Sequence, residues 1–250
     1  MIELQHISKT FNRNSPNEIS ALKDINLKID ASQFVVVIGS NGSGKSTLLN
    51  SIAGNISIDN GRILVDNTEI TNKKEYERSK WIARIFQNPL MGTAPELTIL
   101  ENFRLASLRT QSKKMSIGTN ENFKKKTKEK ISLLNLGLEN KIDQPMGTLS
   151  GGQRQALTLL MATMDETKIL LMDEPSAALD PKTADLLLQL ANKIIREFRL
   201  TTLFITHQLK DALIYGDRLI LMREGTIAKD LDPSQKSKLQ LNEVYSWFEG

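Results

Sequence analysis

The sequence predicts one α/β domain over residues 1–250, with an antiparallel β-subdomain near its start and a helical subdomain inserted at about 88–165. Three observations predict it. Phe34 to Ile38 is a continuous apolar, β-branched run ending at Gly39, the pattern of a parallel strand buried on both faces. Residues 1–30 instead alternate apolar and polar side chains, clearest at Leu22, Ile25, Leu27 and Ile29, as half-buried antiparallel strands do. From residue 88 onward the apolar spacing turns helical and stays so to about residue 165.

Taken in order, the first strands are broken by the turn-rich stretch Asn12 to Asn17, which contains Pro16. A helix over Thr47 to Ala53 follows the Phe34–Ile38 strand. Arg62 to Ile70 reads as a hairpin turning at Asp66-Asn67, and Leu219 to Ile227 as another turning at Glu224-Gly225. Thr98 and Glu101 have capping-box spacing at a helix start, and Phe123, Ile131 and Leu134 mark an amphipathic helix stopped by Gly137. The lysines at 124, 125, 126, 128 and 130 read as the solvated face of that helix. Lys168 to Pro175 reads as a buried strand. Pro181 opens a helix whose stripe is Leu187, Leu190, Ala191, Ile194, Ile195 and Phe198, leading into a strand at Thr201 to Thr206. After Asp230 there is room for about one helix, with Val244 to Phe248 apolar enough to dock on the core or on a partner.

Lys plus Arg number 33 against 29 Asp plus Glu, a formal charge of +4, too small an excess for this length to argue for nucleic acid as a partner. The absence of cysteine removes disulfides and thiolate metal sites and permits a reducing compartment. The start MIELQHISKTF lacks a secretory pattern, and nothing approaches the roughly 20 apolar residues that span a bilayer. The expectation is a soluble chain whose part in any membrane process depends on another polypeptide.

Gly39, Ser40, Asn41, Gly42, Ser43, Gly44, Lys45 and Ser46 fit G-x-x-x-x-G-K-[ST], after a buried strand and before a helix, where this pattern binds phosphate. Its glycines let backbone N–H groups curl around phosphate oxygens, and the helix N-terminus adds a favourable dipole. Lys45 then reaches the β and γ phosphates, and the Ser46 hydroxyl becomes a ligand for Mg2+, which keeps several waters. The strand ending at Asp173 and Glu174 delivers two carboxylates where open parallel sheets bind ligands. Because successive strand side chains point opposite ways, Asp173 can serve the metal while Glu174 addresses the attacking water as base.

Leu149-Ser150-Gly151-Gly152-Gln153 matches the signature of the ATP-binding cassette family, and the resemblance covers essentially the whole chain. It implies a RecA-like P-loop NTPase core that binds and hydrolyses ATP with Mg2+. In that resemblance Phe11 stacks on adenine, Gly39 to Thr47 form the Walker A loop and Gln87 is a magnesium or water ligand and a hinge. Asp173 and Glu174 end Walker B, Ser176 to Asp180 form the D-loop, and His207 is the switch histidine reaching the γ-phosphate. Ser150 to Gln153 open a helix expected to run from Gly151 to Met164; its end serves the nucleotide of a second copy in a head-to-tail dimer, with Asp180 both capping its own helix and touching that copy. His6 matches no family role and reads as structural. The signature helix departs from the usual continuation by lacking an arginine in Ala156 to Met164, and Ser176-Ala-Ala replaces a more frequent Thr-Ser-Ala; neither touches a ligand position.

The single cassette without spanning segments resembles importer subunits that act on a separate transmembrane permease from the cytoplasmic face of the membrane. The stretch Lys141 to Gly147 lacks the acidic pattern of exporter cassettes, with an exporter subunit kept as the alternative, and Gly92 to Ile99 is similar to importers that use a solute-binding lipoprotein, some handling aromatic amino acids. Cassette ATPases acting on ribosomes or chromosomes usually carry two cassettes, a coiled coil or zinc-binding cysteines, none of which is read here.

Overall fold

The computed structural model describes residues 1–109, 118–165 and 167–248; the segment 110–117 of the expected helical insertion lies outside the described residues. The chain divides into two compact units, Met1–Ile82 with Ile169–Glu174 and Arg199–Gly250 forming one, and Ala83–Lys168 with Pro175–Phe198 the other.

The first unit is built on two sheets. β1 (Ile2–Phe11) and β2 (Ile19–Ile29) pair antiparallel, with Ile2 opposite Ile29 and Phe11 opposite Ile19. With β4 (Asn60–Val65) and β5 (Thr68–Glu69), they form a sheet of order β2-β1-β4-β5. The other sheet has order β10-β9-β3-β8-β7-β6. Its centre is β3 (Phe34–Ile38), buried at all five residues and parallel to both β8 (Thr201–Ile205) and β9 (Arg218–Arg223). β7 (Ile169–Asp173) is parallel to β8, β10 (Thr226–Leu231) is antiparallel to β9, and β6 (Ile82–Ile85) carries the chain into the second unit. β3 is apolar throughout because both of its faces are covered. Val35 and Val37 join a core with Leu48, Leu49 and Ile52 of α1 (Lys45–Ala53) and with Ile2, Leu4 and Ile63 of the other sheet, while Phe34 meets Phe204 with ring centroids 6.3 Å apart. Each such side chain contributes about 1.5–3 kcal/mol by leaving water, before entropy is charged against it. Short helices α2 (Glu75–Arg78), α7 (Leu209–Ile214), α8 (Pro233–Lys236) and α9 (Leu241–Ser246) complete the unit. Val244 is fully buried, so the C-terminal apolar stretch docks in part on its own unit.

The second unit is helical: α3 (Ile99–Ala106), α4 (Glu121–Ser132), α5 (Gly151–Met161) and α6 (Pro181–Glu197). The expected capping box is present at α3, where Thr98 Oγ1 accepts from the Glu101 N–H at 3.2 Å and the Glu101 carboxylate accepts from the Thr98 N–H at 2.8 Å. In α6, Leu187, Ala191, Ile194 and Ile195 are buried as the stripe predicts, whereas Leu190 is half-buried and Phe198, just past the end, is exposed.

Some boundaries differ from the sequence reading. α1 begins two residues before Thr47, because the backbone after Gly44 is already helical. α5 ends at Met161 rather than Met164, since the Thr163 N–H and Met164 N–H bond three residues back and Thr163 Oγ1 donates to the Leu160 carbonyl, tightening the last turn. α4 ends at Ser132, where Asn135 takes up φ 53°; Gly137, at φ 67°, instead opens the 3₁₀ turn Leu138–Asn140. Lys130 departs from its solvated neighbours on α4: its ammonium donates to the Thr163 carbonyl and lies 5.0 Å from the Phe198 ring centroid. Burial pushes its pKa down, with Glu197 opposing.

Candidate functional site

In the first unit, the loop between β3 and α1 adopts backbone angles that its glycines allow. Gly39, Gly42 and Gly44 have φ of 155°, 79° and 99°. At Gly44 a Cβ would also come within 2.4 Å of the Ala21 carbonyl oxygen, so the residue is excluded from bearing a side chain on two grounds. Lys45 is 6% exposed and its ammonium donates to the carbonyls of Gly39 at 2.8 Å and Ser40 at 3.0 Å, closing the loop on itself. Burial lowers the pKa of this lysine, and the nearby Glu174 and Asp173 carboxylates act in the opposite direction. Ser40, Asn41, Gly42 and Ser46 are exposed at the loop's outer side, Thr47 is half-buried, and the enclosed Ser43 Oγ has no hydrogen-bond partner among the described residues.

In the sheet β8 lies beside that loop's own strand β3 and β7 lies beside β8, and the C-terminal tips of β7 and β8 carry the other polar groups. Asp173 closes β7. Glu174 follows with φ 46°, a left-handed conformation that costs a residue with a Cβ roughly 1–2 kcal/mol. Its N–H continues the ladder to the Ile205 carbonyl at 3.0 Å, which holds the carboxylate just beyond the sheet edge. His207, after β8, bonds through Nδ1 to Glu174 Oε2 at 3.0 Å. A histidine–carboxylate pair was not part of the sequence reading, which assigned His207 to phosphate alone.

Phe11 is half-buried and lines a cavity of about 250 Å³ together with Ile19, residues 41–47 and Glu174. Ile19 is 58% exposed at the cavity rim, and it escaped the sequence reading because alternation alone marks it as one more strand residue. His6 stays outside this arrangement, paired with Asp24 at 2.8 Å on the surface.

The remaining candidates belong to the second unit. Gln87 is exposed in a bend after β6, and the carbonyl of the preceding Phe86 accepts from Gln155 Nε2 at 2.7 Å. Gln155 is 1% exposed and ties that bend to α5; nothing in its sequence position had set it apart. Ser150 and Gln153 form a reciprocal cap on α5: Ser150 Oγ accepts from the Gln153 N–H at 3.3 Å and Gln153 Oε1 accepts from the Ser150 N–H at 3.2 Å. Gly151 and Gly152 lie at the first turn, and a Cβ on Gly152 would come within 2.2 Å of the Thr183 methyl on α6, which would have to shift to admit a side chain there. Asp180 caps α6, accepting from the Thr183 N–H at 3.1 Å, and the bonds from Thr183 hold its carboxyl below the usual range. Arg154, 7% exposed, donates to the carbonyls of Met146, Gly147 and Leu149 and fixes the loop that leads into α5.

The first unit's donor set fits a nucleoside triphosphate with magnesium. An aromatic ring, a glycine-bent loop at a helix N-terminus, a buried cation and a carboxylate line one cavity. Among the described residues no group of three His, Cys, Asp or Glu could hold a metal by itself. The Ser46 hydroxyl and the Asp173 carboxylate therefore suit an ion that takes its other oxygens from phosphate and water.

The sequence family described as "ABC transporter" matches residues 22–177. Among curated relatives, a tyrosine transport ATP-binding protein of Clostridioides difficile is 41% identical, the alignment covering 100% of this chain and 99% of that protein. A phosphonates import ATP-binding protein of Lactococcus lactis is 35% identical over 98% of each. Among solved structures, the ADP conformation of an ATP-binding cassette of an ABC transporter superposes with a TM-score of 0.81 at 29% identity, covering 100% of this chain and 98% of the other. A dimeric ATP-binding cassette in a post-hydrolysis state with ADP and Pi gives 0.78 at 30% identity, covering 93% and 99%.

Proposed function

This chain belongs to the ABC transporter family as an ATP-binding, ATP-hydrolysing subunit, and from that premise we propose that it energises solute import through a separate membrane permease. The observation that carries the chemistry is the single cavity lined by Phe11, the 41–47 loop and Glu174. Phe11 stacks on adenine. The loop N–H groups and Lys45 bind the phosphates, and Ser46 and Asp173 would hold Mg2+. When bound, the magnesium ion neutralises charge on the transferring phosphoryl group.

Glu174 orients the attacking water and accepts its proton. His207 steadies that carboxylate through Nδ1, leaving Nε2 for the γ-phosphate. Ser150, Gly151, Gly152, Gln153 and Asp180 complete the nucleotide site of a second copy in a head-to-tail dimer, and the dimeric relative supports that reading. Closure of the dimer around ATP and reopening after hydrolysis then bias the permease between its two states.

Import is supported by the phosphonates import relative, and an aromatic amino acid as cargo by the tyrosine transport relative together with the Gly92 to Ile99 stretch. In the second unit a cavity of about 350 Å³, lined in part by Gly92, Leu105 and Arg109, sits with Leu105 at 52% exposure; it suits a permease helix. The subunit attaches to the cytoplasmic face of the membrane through the permease; no helix among the described residues is long and apolar enough to cross a membrane. An extracytoplasmic solute-binding protein would deliver the cargo. The test is co-purification: tagged Glu174→Gln protein with ATP, drawn from detergent-solubilised host membranes, brings down a multi-span permease and a solute-binding protein. Ribosomes, DNA or no membrane protein in their place overturn the import reading.

A further inference from the structure

Phe11 stands at the very end of β1, where the strand has lost one of its two neighbours. The β1–β4 ladder finishes at the pair Ser8 and Asn60, so residues 9–11 pair only with β2. A ring placed on a frayed strand end would be a poor stacking platform, since a bound base would have to order it at an entropic cost.

Asp59 occupies the vacated edge. Its N–H donates to the Ser8 carbonyl at 2.8 Å, the last backbone link to β1. Its carboxylate then extends that edge: Oδ2 accepts from the Thr10 N–H at 2.6 Å and from Arg13 Nη2 at 2.9 Å, and Oδ1 from Lys9 Nζ at 3.2 Å. One carboxylate therefore grips residues 9, 10 and 13, on both sides of Phe11 in the chain. Lys9 and Asp59 are only 13% and 17% exposed at their side chains, which protects the pair from the screening that weakens surface ion pairs. Lys9 is also used a second time: its ammonium lies 5.5 Å from the centroid of the Phe11 ring. Residues i and i+2 of a strand share a face, which is why Lys9 can reach that ring at all. Neither Lys9 nor Asp59 lines the cavity to which Phe11 contributes.

We propose that Asp59 is the positioning residue of the nucleotide-base site: it fixes the end of β1 and presses the Lys9 cation against one side of the Phe11 ring, so that the other side is offered rigidly to adenine. The inference rests on the reading of Phe11 as the base-stacking aromatic. A cation on the ring also withdraws electron density from it, which favours stacking on an electron-rich purine. Asp59 touches no ligand itself and acts wholly through Phe11.

The experiment compares two ligands, ATP and inorganic tripolyphosphate, by calorimetry on the intact chain. Tripolyphosphate carries the phosphate chain without the base. Phe11→Ala is expected to weaken ATP binding about tenfold, within the range for one base–aromatic stack, and to leave tripolyphosphate unchanged. Asp59→Ala is expected to weaken ATP about fivefold with tripolyphosphate again unchanged, and Lys9→Met about twofold. In the Phe11→Ala background, Asp59→Ala should cost nothing further for ATP. Asp59→Asn, which keeps the shape and an acceptor for Thr10, serves if the alanine variant does not fold and should fall between native and alanine. Additive losses from Phe11→Ala and Asp59→Ala, or equal losses for both ligands in the Asp59 variants, overturn the role of Asp59 while leaving Phe11 intact. Native ATP affinity in Phe11→Ala overturns the stacking reading, and this inference with it.

Discussion

Two glycine-bearing helix starts in this chain, one in each unit, are built in opposite ways. At α1 the N-cap is Gly44, without a side chain to accept from the first N–H groups. At α5 the corresponding groups are answered from within, by the reciprocal bonds of Ser150 and Gln153. A helix start whose donors have no side-chain cap is held ready for an anion, and the buried Lys45 beside it supplies the charge. A helix start with a complete capping box is stable alone and must exchange part of that cap to serve a ligand. The first unit is thus expected to bind the nucleotide on its own, and the α5 end to matter for turnover only.

Substitutions can break or sharpen this contrast. Glu174→Gln separates binding from turnover in the first unit: phosphate release should fall at least about a hundredfold, the usual scale for losing a general base, while ATP affinity in calorimetry is retained. Unchanged hydrolysis would sink the assignment of Glu174. Lys45→Ala should weaken ATP binding about a hundredfold, because a buried cation that meets phosphate cannot be replaced by water. Ser150→Ala should leave the ATP affinity of the single subunit untouched, lower stability by about 1 kcal/mol through loss of the cap, and depress turnover. Thr98→Ala is its control, since α3 has the same capping box: an equal loss of stability is expected with turnover preserved. If both variants lose turnover alike, the α5 start has no role beyond its own helix.

The smallest effect concerns pH. Burial lowers the pKa of Lys45, so in the free protein its ammonium loses its proton at lower pH than that of an ordinary lysine. The charge is present below the folded-state pKa and is lost as pH rises through it. Bound phosphate favours the ammonium. ATP binding on the alkaline side should accordingly take up protons, seen as a buffer-dependent calorimetric enthalpy, and weaken as pH rises. Lys45→Ala should abolish the uptake.

The place of the glycine loop between β3 and α1, and of both carboxylates at the end of β7, was legible because each is a local pattern: a glycine spacing that follows a buried strand, and acids at another strand's end. Alternation in residues 1–30 likewise marked the β1–β2 pair with its break at 12–17. The cap on α3 was visible from Thr98 and Glu101 alone. Helix ends were read less well. α5 stops at Met161 because hydroxyl and backbone bonds three residues back compete with the helical ladder, and nothing in its apolar run announces that. Lys130 looked like its solvated neighbours because a charge run says nothing of the Thr163 carbonyl and Phe198 ring that it meets.

What the sequence determined by itself was the kind of chemistry: an α/β core, a phosphate loop with its lysine, two acids at a strand end and a signature that identifies the family. These are set within a few residues of one another, by backbone sterics and side-chain type. Tertiary structure alone decided what those groups meet. It paired His207 with Glu174 across 33 positions in the chain, put Glu174 itself at positive φ, brought Ile19 to the cavity and placed Asp59 against the flanks of Phe11. The reason is that such contacts depend on which strands become neighbours and in what register, and sheet pairing is settled by burial over the whole core rather than by any local run of residues.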